Sequence, residues 1–337
     1  MRAAVVEEFG PPESLRVLEV GEPTVAPGTV LVEVAAAGVN FPDVLVVAGN
    51  YQILPPRPFI PGKEVAGTVR AVGDGVTGLS VGDRVVAQVE HGGYAELVVV
   101  PAGQVVPLPD GVPETEAAVV GLAALTAHIA LRRRARLEPG ETVLVTGAGG
   151  GVGAAGVQLA KAWGATVLAV ARDEERAAIA AAQGADHVLV AGGTLRDDVR
   201  RLTDGRGADV VLETVGGDVF AQALRATAWE GRLVVIGFAS GEVPVVKAGH
   251  LLVKNVGVLG LQVSDYRDRE PQTVQDALIE LLALRAEGRL SVPVAHTYPL
   301  DEAGTALADV QRGGLAGRVV LTCRPPTSTT PEGGDPS

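Results

Sequence analysis

The chain has 337 residues, 47% of them hydrophobic, which is enough for two domains that each bury a core. Its formal net charge of −12 argues against nonspecific binding to nucleic acid or to an anionic membrane surface, both of which need basic surface. A single cysteine, Cys323, excludes an internal disulfide and suits a reducing compartment, and with neither a signal-peptide core in MRAAVVEEFGPPE nor a run of about 18 apolar residues the expectation is a soluble cytoplasmic protein without a membrane span.

In chain order, residues 1 to about 113 read as short strands punctuated by glycine and proline, at 3–6, 15–20, 29–36, 67–72, 84–88 and 95–100. That spacing suits a compact, mostly antiparallel β domain. An alanine-rich helix is expected over 114–131, with Arg132-Arg133-Arg134 as a solvated face beyond it. Six strands then alternate with helical crossovers, at 142–146, 166–170, 187–189, 210–213, 232–236 and 255–260. This is the pattern of a doubly wound parallel sheet. After a helix over 274–286, β character returns at 297–298 and 318–322 and is expected to rejoin the first domain. The fold class is therefore α/β: a β-rich domain over 1–115 completed by 290–324, a dinucleotide-binding domain over 116–289, and a tail over 325–337 too poor in apolar residues to order.

The segment VLVTGAGGGVGAAGVQLAKAWG, Val143 to Gly164, carries the chemistry. Its apolar run does not alternate, as expected of a parallel strand covered on both faces. Between that strand and the next helix, Ala148, Gly149, Gly150, Gly151, Val152 and Gly153 form an Ala-x-Gly-x-x-Gly variant of the dinucleotide fingerprint. Glycines there let backbone approach a ligand, the helix start favours a pyrophosphate, and Gly153 allows close helix-to-strand packing. The second strand ends on Ala171, with no carboxylate to accept a ribose 2′-hydroxyl, and Arg172 and Arg176 follow. These favour NADPH over NADH, although Asp173, Glu174 and Glu175 allow the alternative of a solvated, self-paired helix start.

Several motifs then occur in a telling order: Gly38-Val-Asn-Phe-Pro-Asp43, Gly49-Asn-Tyr51, Pro61-Gly-Lys-Glu-Val-Ala-Gly-Thr-Val69, Val81-Gly-Asp-Arg-Val85, Gly92-Gly-Tyr-Ala-Glu96, Ala148-Gly-Gly-Gly-Val-Gly153 and Gly237-Phe-Ala-Ser-Gly241. Together they resemble the zinc-independent quinone oxidoreductase branch of the medium-chain dehydrogenase/reductase superfamily, from Met1 to about Cys323. The resemblance implies a GroES-like catalytic domain, a Rossmann domain, a homodimer, and NADPH-dependent reduction of quinones or related conjugated carbonyls. Asn40 and Lys63 stand where zinc-dependent relatives carry cysteine and histidine ligands, and no cysteine cluster lies between Val85 and Pro101. No metal is expected.

For the site, Asn40 is either a hydrogen-bond donor to a substrate carbonyl or the nicotinamide ribose, or a turn residue before Phe41-Pro42. Tyr51 resembles the family's active-site tyrosine, whose phenol would steady an oxygen gaining negative charge; the alternative is packing over Pro55 and Pro56. Thr126 matches a position near the nicotinamide, or bonds its own helix backbone. Phe238 and Ala239 follow a Rossmann strand at the ligand-binding edge, and Arg318 approaches the cofactor from the returning strand or is structural. Lys63 and Glu64 read as an ion pair flanking the cleft or on the surface. Two other functions remain: an enoyl-thioester or alkenal reductase, and an NADPH-binding structural or regulatory protein without turnover.

Overall fold

The computed structural model describes residues 1–324; the tail expected over 325–337 lies outside the described residues. The first domain is built on β1 (Arg2–Val5), β2 (Arg16–Glu19), β3 (Thr29–Val39), β4 (Glu64–Val72), β5 (Arg84–Gln88), β6 (Leu97–Pro101) and β7 (Val105–Pro107). β1 and β2 form a separate antiparallel ribbon. The eleven residues of β3 organise the remainder, pairing antiparallel with β4 and β6, and register shifts along it bend the sheet toward a barrel. Alternating side chains of these strands, Val30, Val32 and Val34 among them, meet Val65, Val85 and Tyr94 in one buried cluster.

The second domain contains β8 (Thr142–Thr146), β9 (Thr166–Ala171), β10 (His187–Val190), β11 (Ala208–Glu213), β12 (Thr227–Val235) and β13 (Gly257–Gly260), all parallel, in the order β10-β9-β8-β11-β12-β13. Strand order reverses between β8 and β11, so the crevice at their carboxyl ends is the place where this architecture accepts ligands. β11 is buried along its whole length, which explains the apolar run Val210-Val211-Leu212 at its centre. The chain then returns: β14 (Val294–Pro299) and β15 (Arg318–Thr322) join the first sheet through antiparallel pairing of β15 with β3. The domains share a core in which Ala36, Ala66 and Val86 pack with Val119, Leu125 and Val143.

Some elements differ from expectation. The helix read over 114–131 divides into Glu114–Ala117 and Gly121–His128, then passes into a wider π-type stretch, Ile129–Arg134. Two unread helices, Phe41–Val47 and Ala303–Arg312, flank the site. The first carried a signal, an Asn40-x-x-Asp43 spacing in which the Asp43 carboxylate accepts the Asn40 backbone N–H at 2.9 Å. β13 starts two residues later than read because Asn255 adopts a left-handed conformation, φ 55°, and terminates the preceding helix.

Candidate active site

A cleft of about 770 Å³ runs along the carboxyl edge of the parallel sheet and under the returning β15. Gly149, Gly150, Gly151, Val152 and Gly153 form its floor, Arg172 and Arg176 one end, and Arg318, Phe41 and Ala123 the other. The helix Gly151–Ala162 begins here with Gly150 as its N-cap and no side chain on its first N–H groups. Those donors, together with the helix dipole, face the cleft. The glycine at 153 is a packing requirement: a Cβ there would meet the Gly147 carbonyl and lie 2.7 Å from Ala148 Cα. Ala148 itself is buried and its N–H donates to Val170 at 3.0 Å, tying the turn to β9 instead of lining the cleft.

The two arginines after β9 differ. Arg172 is 79% exposed and, among the described residues, pairs only with Asp173, at 3.0 Å. Asp173 is occupied on both oxygens, since the other accepts the Arg176 backbone N–H at 2.9 Å as a helix cap. Arg176 donates from Nη1 to the Gly149 and Leu315 carbonyls, both at 3.0 Å, and so braces the glycine turn against the returning segment.

Beneath the far end lies a buried polar network. Glu64, fully buried at the start of β4, accepts Asn40 Nδ2 at 2.8 Å and the Leu122 N–H at 2.5 Å, and lies 3.5 Å from Arg318 Nη2. Asn40 also donates to Gly38 O at 3.3 Å and accepts from Arg318, so its amide is engaged on both ends within the protein. Among the described residues, Arg318 Nε is buried without a partner at the edge of the cleft. Burial pushes the Glu64 carboxyl up, against the opposing pull of Arg318, Asn40 and the Leu122 N–H. Lys63 and Glu64 are not an ion pair: both are buried, and Lys63 turns to Glu90.

Tyr51 is half-buried outside the cleft lining, with the Lys63 ammonium 4.9 Å from its ring centroid. Burial raises its phenol above the ordinary value, so it remains a proton and hydrogen-bond donor at neutral pH. Thr126 donates to Leu122 O at 2.7 Å inside its own helix; Ala123 and Ala124 are the residues that line the cleft from that helix. Ala239 lines it as well, whereas Phe238 lies over Gly216 and outside it. The sequence reading missed Glu213, buried at the end of β11, whose Oε1 accepts from Thr146, Val215 and Gly216 at 2.9–3.2 Å and so fixes the loop on one wall. Its local signal was a charged residue ending an apolar strand. Among the described residues no group of three His, Cys, Asp or Glu side chains is gathered to hold a metal ion.

A β-rich domain bent round an eleven-residue strand and a six-stranded doubly wound sheet, with a glycine-floored cleft between them, define a two-domain dinucleotide-binding protein. Residues 26–110 match the family model described as alcohol dehydrogenase GroES-like domain, and residues 151–283 the one described as zinc-binding dehydrogenase. Quinone oxidoreductase-like protein 2 homolog of Nematostella vectensis is 37% identical over 96% of this chain and 89% of its own length. Quinone oxidoreductase-like protein 2 of Mus musculus is 35% identical over 96% and 92%. Among solved structures, Escherichia coli quinone oxidoreductase complexed with NADPH superposes with a TM-score of 0.87 at 31% identity, over 96% of this chain and 100% of that one. A mycobacterial quinone oxidoreductase gives 0.89 at 35%, over 96% and 99%. The chain belongs to the quinone oxidoreductase family of the medium-chain dehydrogenase/reductase superfamily.

Proposed function

We propose that this chain is an NADPH-dependent oxidoreductase that reduces quinones or related α,β-unsaturated carbonyls without zinc. The observation that carries the reading is the cleft at the strand-order reversal, with an uncapped helix start on its floor and the partnerless Nε of Arg318 at its far edge. Such a site fits a dinucleotide: the helix start and Arg318 would hold the pyrophosphate, and Arg172, the less engaged of the two arginines, the 2′-phosphate. When bound, the nicotinamide supplies a hydride. The residues of the chain bind, orient and exclude water, and one further proton, from the Tyr51 phenol or from water, completes reduction of a quinone to a hydroquinone. The spent amide of Asn40 supports an orienting role for it, holding Arg318 and Glu64, and Thr126 supports the helix that carries Ala123 and Ala124. Phe238 borders the nicotinamide side from outside the lining.

Zinc independence is supported by Asn40 and Lys63, neither of which offers the thiolate or imidazole that a catalytic zinc requires. We assign residues 1–115 with 290–324 as the catalytic domain and 116–289 as the dinucleotide-binding domain. A homodimer is supported by the free edge of β13 and by Leu252 and Val253, 79% and 80% exposed on the helix that leads into that strand. No described helix is long and apolar enough to cross a membrane, and the lone buried Cys323 agrees with a cytoplasmic setting. A second reading is reduction of enoyl thioesters. The chain is 34% identical over 94% of its length to a segment making 15% of a mycocerosic acid synthase-like polyketide synthase of Mycolicibacterium smegmatis.

The test is loss of absorbance from NADPH and from NADH with quinones, enones and enoyl thioesters as acceptors. Faster oxidation of NADPH with quinones or enones supports the proposal, and thioester-specific turnover supports the second reading. NADPH binding without oxidation by any acceptor overturns both.

A further inference from the structure

Away from the dinucleotide cleft, three charged side chains drawn from both domains meet beside Tyr51. Glu90, just after β5, places one carboxylate oxygen on Lys63 Nζ and the other 2.8 Å from Arg267 Nη1. Lys63 donates again to the Glu90 carbonyl at 3.1 Å, and its ammonium faces the Tyr51 ring. Arg267 comes from the second domain, on the helix Val263–Arg269, and Asp268 holds the rest of its guanidinium with bonds of 2.8 and 2.9 Å. The side chains of Lys63 and Arg267 are only 3% and 9% exposed. Burial works against the charge of Glu90, yet the two cations outweigh it and keep its carboxyl below the usual range. Lys63 and Arg267 balance Glu90 and Asp268, so losing any one of the four leaves an uncompensated charge and the arrangement is strongly coupled.

We propose that Lys63, Glu90 and Arg267 form a positioning bridge that holds the domains together at the substrate end and fixes Tyr51 against Lys63. The bridge rests on the reading of Tyr51 as the group that meets the substrate oxygen. None of its three members lines the dinucleotide cleft, so its effect falls on substrate handling and spares cofactor binding.

In the full-length chain, Arg267→Gln lowers kcat/KM for a quinone about tenfold or more while the Kd for NADPH stays within about twofold. Arg267→Lys restores part of the loss, and Arg267→Gln combined with Tyr51→Phe costs no more than the larger single change. Unchanged quinone kinetics in Arg267→Gln, or additive losses with Tyr51→Phe, overturn the proposal. Where Arg267→Gln does not fold, Asp268→Asn at the exposed end of the pair gives a smaller loss in the same direction, and no loss there overturns it equally. Hydrogen exchange separates the bridge from the activity: the helix Val263–Arg269 exchanges faster in Arg267→Gln even if the wild type reduces no quinone. Unchanged exchange sinks the bridge alone.

Discussion

Asp43 is one of the buried carboxylates near the site. It is buried in the helix Phe41–Val47, accepts the Asn40 N–H and the Tyr94 hydroxyl, each at 2.9 Å, and contributes to no cleft wall. Burial raises its carboxyl to about 6, despite the lowering influence of Lys63 and the two hydrogen bonds. Because this value exceeds the unfolded one of 3.8, the native state holds the proton longer. The associated stability is therefore complete below pH about 4 and is lost as pH rises through about 6. Asp43→Asn keeps an acceptor for both donors and removes the titration. Urea unfolding across pH 4 to 6.5 is expected to show the wild type losing on the order of 2 kcal/mol relative to Asp43→Asn, with the difference arising inside that window. A constant difference between the two proteins across the range would show that Asp43 does not titrate there.

At the scale of elements, the segment from β8 through the helix Gly151–Ala162 has local causes throughout: an apolar strand, glycines where helix meets strand, and a helix start left open. Its weak point is Gly153. Gly153→Ala forces a Cβ toward Ala148 Cα and the Gly147 carbonyl, both backbone, which cannot rotate away. We expect a loss of about 1–3 kcal/mol in unfolding free energy and weaker NADPH binding by titration. Gly192→Ala, where nothing lies within 4 Å, is the matched control and leaves both unchanged. Glu64 shows why other elements resisted reading. Lys63 lies just before β4 and Glu64 is its first residue, and the two side chains, adjacent in sequence, diverge to Glu90 and to Asn40. The break before Gly121 follows from the same residue, since its carboxylate meets the Leu122 N–H where the helix Gly121–His128 begins.

For the whole molecule, the returning strands matter most. β15 closes the first sheet against β3 and delivers Arg318 to the cleft between domains, 278 residues away in sequence from its partner Asn40. The outer edge of the second sheet leads to an assembly prediction. Val253→Glu places a charge on the exposed helix that leads into the edge strand β13 and is expected to convert the proposed homodimer to monomer, measured by light scattering after size-exclusion chromatography. A wild type that is monomeric at all concentrations, or a Val253→Glu protein that remains dimeric, would place the interface elsewhere or remove it.

The sequence by itself determined the two-domain α/β architecture, the glycine turn, the strand-helix alternation and the absence of a carboxylate at Ala171, because each is written in neighbouring residues with a period of two or a helical repeat. Only the tertiary structure decided that Arg172 is exposed while Arg176 is a brace, that the amide of Asn40 is engaged within the protein, and that Lys63, Glu90 and Arg267 meet beside Tyr51. These contacts join residues tens to hundreds of positions apart, and burial, which sets their protonation and partners, is a property of the packed domains.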